Sequence, residues 1–394
     1  MILHIARVVL LLIEVVVLFN LLIAVHELGH FLAAKWRGLF IEQFGIWFGK
    51  PLWQKKINGV LYSIGTIPAG GFVKLPQLAP MDVIEGEADV DRATLPPISA
   101  FDKIIVALAG PVFSLLLAIA FALIVWVVGR PVGESDVTTI IGYVIPNSSA
   151  AQVGLEPGDK ILAVDGHNVT RFMGMNDSVS WSVVRSEGET VPVTFERDGK
   201  VRTVQVVPYK AQTTGWHRQS VRQLLIMPAE TAIIEKVQPN TPAAAAGLQP
   251  HDIVTGYNGQ KIYNPIALAD YIDKHPKQQL TLEIERDGKN LSVALTPKLL
   301  PTEGKMQPRI GIGWDTSGRI FIAHTNPLEQ VYNSITGTLE TLGAVASPKS
   351  DVKFQHMSGP IGIGHVYYEL FENERGWQLA LWFSVILNVN LAIL

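Results

Sequence analysis

The chain has 394 residues, is 48% hydrophobic and 17% charged, and has a positive mean hydropathy of +0.26, whereas a wholly soluble protein carries nearer to ~25% charged residues. A net charge of −3 without any Lys/Arg cluster gives no case for nucleic acid. The absence of cysteine excludes disulfides and thiolate metal sites, so any metal must be held by His, Asp or Glu.

The first apolar block runs from about Ile5 to Ala34 and has no small-residue cleavage site ahead of its polar motif. It exceeds the ~20 residues that span a bilayer, which predicts a retained transmembrane helix within residues 1–37. This helix contains "AVHELGHFLA" (24–33), in which His26 and His30 lie four residues apart. On an α-helix that spacing stacks two imidazoles one turn apart on one face, where they can share a cation. Zn²⁺ suits such a pair, since imidazole is among its preferred ligands and it needs no redox partner. Glu27 points about 100° round the helix from His26, which places it to act on a zinc-held water and not on the metal. Ionisable groups in a lipid helix cost on the order of 2.5–3.5 kcal/mol each on insertion scales, which argues for a task. Glu14, without a partner at helical spacing, reads as a hydrogen-bonding residue of the bundle.

Residues 38–100 include "FGIWFGKPLWQKKINGVLYSIGTIPAGGFVKL" (44–75), whose alternating aromatic and β-branched residues and Gly-rich turns predict short β-hairpins. Gly70-Gly71 ahead of Phe72-Val73 would let another backbone approach a strand edge closely, although the pattern equally suits an ordinary hairpin. Between Lys35 and Lys103 there are eight Lys/Arg, which puts this segment on the cytoplasmic side by the positive-inside rule. A second uncharged span, in residues 101–130, contains Gly110-Pro111, expected to kink or break it.

The centre is a tandem repeat. "VIPNSSAAQVGLEPGDKILAVDGH" (144–167) aligns without a gap on "VQPNTPAAAAGLQPHDIVTGYNGQ" (237–260), pairing Gly154 with Gly247 and Asp159 with Asp252. "FERDGKVRTVQVVP" (195–208) aligns on "IERDGKNLSVALTP" (284–297). Each unit should hold a short helix ended by glycine, then strands joined by Asp-Gly turns. The pattern resembles PDZ domains of the bacterial protease type, placed at 131–222 and 223–310. That resemblance implies binding of peptide or protein termini along a sheet edge, and a pair of inert spacers is the alternative.

Residues 311–373 read as a linker with an amphipathic helix, and 374–394 as a third transmembrane helix beginning with Trp377. The predicted fold is a polytopic α-helical membrane protein with a membrane-associated β-hairpin region and two inserted α+β PDZ-like domains.

Taken together, "HELGH", "IPAGGFVK", "ALAGPVFS", the tandem units and "SGPIGIG" (358–364) resemble the site-2 protease family of intramembrane zinc metalloproteases. The resemblance implies His26 and His30 as zinc ligands, Glu27 as the catalytic base, and Gly70, Gly71, Phe72 and Val73 as part of a hairpin that receives substrate as an added strand. It implies a pre-trimmed single-pass substrate of the anti-sigma-factor type, a bacterial inner membrane, an active site near the cytoplasmic side and periplasmic PDZ units acting as a substrate filter. Two departures stand out. Ser114 occupies the place of the family's usual Asn after Gly-Pro, and the Leu-Asp-Gly segment that carries the third metal ligand is missing before Leu394. The expectation is that the last helix continues beyond this chain; were Leu394 the natural end, a non-catalytic membrane-anchored PDZ scaffold is the alternative. A metal-dependent transporter fits three spans and a large insert poorly.

Overall fold

Residues Ile2–Arg37 form one helix, α1, because the run is apolar, free of proline and rich in straight-chain leucine. It closes where Gly38 takes a left-handed φ of 73°, with Lys35 and Arg37 in the last turn, opposite in sign to the helix's negative end. This computed structural model describes residues 2–78, 95–213, 219–302, 304–373 and 375–394. Of the segment expected as hairpins, residues 79–94 lie outside the described residues, and Arg92 of the basic loop with them.

Strands β1 (Gln43–Phe48), β2 (Trp53–Ile57), β3 (Val60–Ile64) and β4 (Ile67–Lys74) follow. They form one sheet in the order β2-β3-β1-β4. Only β2–β3 is a tight hairpin, turning at Asn58-Gly59, where both residues have positive φ (50° and 88°) as such a turn requires. β1 pairs in parallel with β3 and antiparallel with β4, so the region is a mixed sheet and not a run of hairpins. β4 forms one edge of it.

Helix α2 (Ala100–Val128) starts at Ser99, whose hydroxyl accepts from the Asp102 N–H, and it stops at Gly129. It runs without a break through Pro111, in contrast to the expected interruption. α1 and α2 pack together, and the Arg37–Asp102 ion pair at 2.6 Å ties their ends.

The chain divides into two units: residues 1–131, 323–339 and 357–394, and residues 132–322 with 340–356. In the second unit the repeats fold alike. The first has β5 (Ile141–Val144), α3 (Ser149–Gln152), β6 (Lys160–Val164), α4 (Val179–Arg185), β7 (Val191–Arg197), β8 (Lys200–Val206) and β9 (Ile226–Pro228). The second has β10 (Ala232–Val237), α5 (Pro242–Ala245), β11 (Ile253–Tyr257), α6 (Ile266–Lys274), β12 (Leu280–Arg286), β13 (Lys289–Leu295) and β14 (Ile312–Trp314). β9 pairs with β5 and β14 with β10. The first repeat thus reaches past residue 222 and the second past 310, because each opening strand takes its edge partner from chain that follows its own hairpin.

The matched aspartates explain much of the repeat. Asp159, 1% exposed, binds Arg197 through both oxygens at 2.5 and 2.7 Å; Asp252, also 1% exposed, binds Arg286 at 2.6 and 2.7 Å. Each arginine also donates to a helix-terminal carbonyl, Gly154 O or Gly247 O, at 2.7 and 2.9 Å. Such bidentate, charge-assisted pairs lock the loop after the short helix onto the β-hairpin.

The segment expected as a linker holds α7 (Pro327–Ala346) and α8 (Pro360–Glu372), followed by α9 (Gly376–Ile393). α8 and α9 join through Tyr367 and Ser384, whose hydroxyls are 2.7 Å apart. Among the described residues three helices are long and apolar enough to cross a membrane: His4–Arg37, Ala100–Val128 and Gly376–Ile393.

Candidate active site

The site is built where α1 meets α2, and glycines let it form. A Cβ on Gly29 would lie 2.5 Å from the Ala109 carbonyl oxygen, so the two helices touch backbone to backbone at that level. Close approach brings His26 and His30 against α2. His30 Nδ1 lies 2.7 Å from the Val106 carbonyl, which can only accept, so this nitrogen carries the proton and Nε2 carries the lone pair. His26 Nδ1 lies 2.9 Å from Ser114 Oγ. Both rings thus have one nitrogen occupied, as the ligands of metal sites usually do. The other two nitrogens face each other, Nε2 to Nε2, at a hydrogen-bonding distance of 3.2 Å.

Two nitrogens bound to zinc at about 2.0–2.1 Å in a tetrahedral arrangement lie about 3.3–3.4 Å apart, so the observed spacing fits the ion. The two rings sit tight against the α2 backbone. A Cβ on Gly110 would stand 2.7 Å from His26 Nε2 and 2.6 Å from His30 Cε1, and nearer still to His30 Nε2. Only a glycine at this position lets both imidazoles approach α2 so closely. Among the described residues no group of three His, Asp or Glu side chains is poised to hold a metal ion.

Glu27 faces another neighbour. The Cβ position of Gly71 lies 3.4 Å from Glu27 Cγ and 3.8 Å from Ile23 Cγ2, which puts β4 beside the carboxylate-bearing face of α1. Gly71, one of the four residues expected to contact substrate, therefore lies next to Glu27. Gly70 has φ 133°, and a Cβ there would strike the Phe48 ring. Val73 is buried in the cluster with Phe31 and Ala34, and Phe72 stacks on Phe48 with ring centroids 5.8 Å apart, so both side chains pack within the unit.

Three contributors escaped sequence reasoning. Gly29 sits inside the motif as though it were filler, and the Val106 carbonyl leaves no side-chain signal at all. The third is Asn20, 8% exposed, which bonds to Pro68 O at 3.1 Å and accepts from Gly70 N at 3.3 Å. A lone amide in an apolar run, seven residues before Glu27, was its visible mark.

Residues 14–394 match the sequence profile of Peptidase family M50. The regulator of sigma-E protease RseP of Escherichia coli K12 is 29% identical over 401 residues, covering 96% of this chain and 85% of its own. Protease RseP of Yersinia pestis is 27% identical over 417 residues, with the same coverage of 96% and 85%. Among solved structures, the PDZ domain of an SdrC-like protein from Listeria monocytogenes is 20% identical, with a TM-score of 0.20, and covers 22% of this chain and 90% of its own.

Proposed function

The chain belongs to Peptidase family M50, the site-2 proteases, and from that premise we propose that it is an intramembrane zinc endopeptidase. The observation that carries this reading is the convergence of two imidazole nitrogens at 3.2 Å under Gly110, with Glu27 on the neighbouring helix face. His26 and His30 would hold the zinc of this family, which supplies Lewis acidity toward the scissile carbonyl. Val106 O and Ser114 Oγ hold the two rings in the orientation that binding requires. Glu27 takes the proton of the attacking water and delivers it to the amine nitrogen as the C–N bond breaks.

A peptide inside a membrane has its carbonyls tied up in helix, and unwinding it there strands backbone groups away from water. An edge strand offers replacement bonds. β4 ends its sheet beside Glu27, and we assign to Gly70, Gly71, Phe72 and Val73 the strand that receives the opened substrate. The proposed substrate is a single-pass protein of anti-sigma-factor type, already trimmed on its outer side. The paired repeats act as the filter that admits only trimmed substrate, by recognising peptide termini. The basic segment after α1 supports a cytoplasmic-side active site in a bacterial inner membrane, with the repeats in the periplasm.

The test is cleavage of a model transmembrane substrate by full-length protein reconstituted with zinc. Glu27→Gln should lower the rate by at least ~100-fold, the scale of a lost general base, while zinc content stays the same. Unchanged cleavage would rule the protease reading out.

A further inference from the structure

Asn20 lies two helical turns before Glu27, seven residues away and hence on the same face of α1. One amide hydrogen goes to Val16 O in its own helix at 2.7 Å. The other goes to Pro68 O at 3.1 Å, and the amide oxygen accepts from Gly70 N–H at 3.3 Å. Both partners belong to β4, the edge strand.

The pattern of these two bonds is informative. In a parallel ladder, a residue of the neighbouring strand donates to the carbonyl of one residue and accepts from the N–H two residues further on. Asn20 makes that pair of bonds across Ala69, so its carboxamide stands where one residue of an added strand would stand. A helix needing only to satisfy a buried amide could turn it back on its own carbonyls, as Asn388 does toward Ser384 O at 2.8 Å. Asn20 turns one hydrogen back on Val16 O and with the rest of its amide reaches across 48 residues of sequence to the strand.

We propose that Asn20 is a positioning residue for proteolysis: it closes the edge of β4 at Pro68–Gly70 and so sets where an incoming peptide strand begins. The stretch of β4 beyond that pair of bonds is Gly71–Lys74, which starts at the residue beside Glu27. A peptide added there is held in one register, and one of its bonds is presented to Glu27 and the histidine pair. With Asn20 removed, the edge lengthens toward Pro68 and neighbouring registers become available, since main-chain bonds alone specify register weakly. This inference rests on the protease reading and on strand addition to β4.

The experiment maps every bond cut in a model single-pass substrate by mass spectrometry, using full-length protein in proteoliposomes. Asn20→Leu removes both bonds at similar volume, Asn20→Ala serves should leucine disturb folding, and Asn20→Gln keeps a donor and an acceptor. Wild type is expected to cut one principal bond, with the glutamine variant cutting there too. The leucine or alanine variant should spread its cuts over adjacent bonds and lose about tenfold in kcat/KM at the principal bond, with zinc content unchanged. The same single bond cut at the same efficiency by the folded leucine or alanine variant overturns the proposal and leaves the protease reading intact. No cleavage by wild type, or cleavage indifferent to Glu27→Gln, defeats both.

Discussion

Gly110→Ala adds one methyl group to the middle of α2, and ordinary helix energetics predict a gain of about 1 kcal/mol in stability. The site predicts the opposite for function. The new carbon would stand 2.7 Å from His26 Nε2 and 2.6 Å from His30 Cε1, against a normal contact of about 3.5 Å. The His26 ring must therefore give way by about 0.8 Å, and the His30 ring, whose Nε2 is nearer still, by more than about 0.9 Å. His30 is held by Val106 O at 2.7 Å and His26 by Ser114 Oγ at 2.9 Å, so retreat also breaks the bonds that orient them. Displacement of a reacting group by about 1 Å costs on the order of 100-fold in rate. Loss of the bonds that orient a ligand costs ~10–100-fold in metal affinity. Overpacking costs about 1–3 kcal/mol and offsets the propensity gain, so the variant should still fold while zinc affinity and cleavage each fall by about 100-fold. Zinc retention against a graded series of competing chelators, measured beside thermal unfolding in detergent, separates the two effects. Wild-type zinc affinity in a folded Gly110→Ala protein would refute the reading that Gly110 sets the placement of the two imidazoles for metal binding.

Ser114→Ala leaves the helix contact intact but frees His26 Nδ1, and zinc affinity in the same chelator series should fall ~10–100-fold; an unchanged affinity means the hydroxyl does not orient the ring. Asp252→Ala strands the Arg286 guanidinium, and since that arginine is about a quarter exposed the cost sits at the low end of the range for a broken buried pair, about 3 kcal/mol. Faster hydrogen exchange in β11 and β12 of the full chain would register that loss, and exchange equal to wild type would contradict it. Burial alone would raise the Asp252 carboxyl, but its bonds to Arg286 and the Gln249 N–H outweigh burial and hold it below its ordinary value of 3.8. Asp351, also pushed up by burial, is likewise lowered overall, by Lys210 and Arg222. Both therefore stabilise the second unit fully above about pH 4, and that contribution drains away as pH falls through their lowered values.

The helical motif was legible because its information is local: His26, Glu27 and His30 need only the 3.6-residue period to take their places. The tandem repeat was legible for a different reason, since Asp159 and Asp252 answer to the same pair of demands, an arginine on the hairpin and an N–H after the short helix. What stayed hidden depends on partners far along the chain. β1 beside β3 in parallel, β9 returning to β5 and Asn20 reaching Pro68 leave no periodic trace, because each is decided by which surfaces remain open after the helices pack. Pro111 was expected to kink or break α2, and of these two the break does not occur. A proline inside an apolar run reads as a break, yet α2 passes through it intact. In a bilayer, neighbouring helices can absorb that lost bond.

The contact between Gly29 and Ala109 has a bearing on how anything reaches the site. Adjacent strands of a sheet need about 4.8 Å between their backbones, and at this level α1 and α2 leave less than the width of a methyl group. At this level no polypeptide slips between the two helices. Traffic to the Nε2 pair has to come round one of the other sides, and on the side of Glu27 the doorpost is β4.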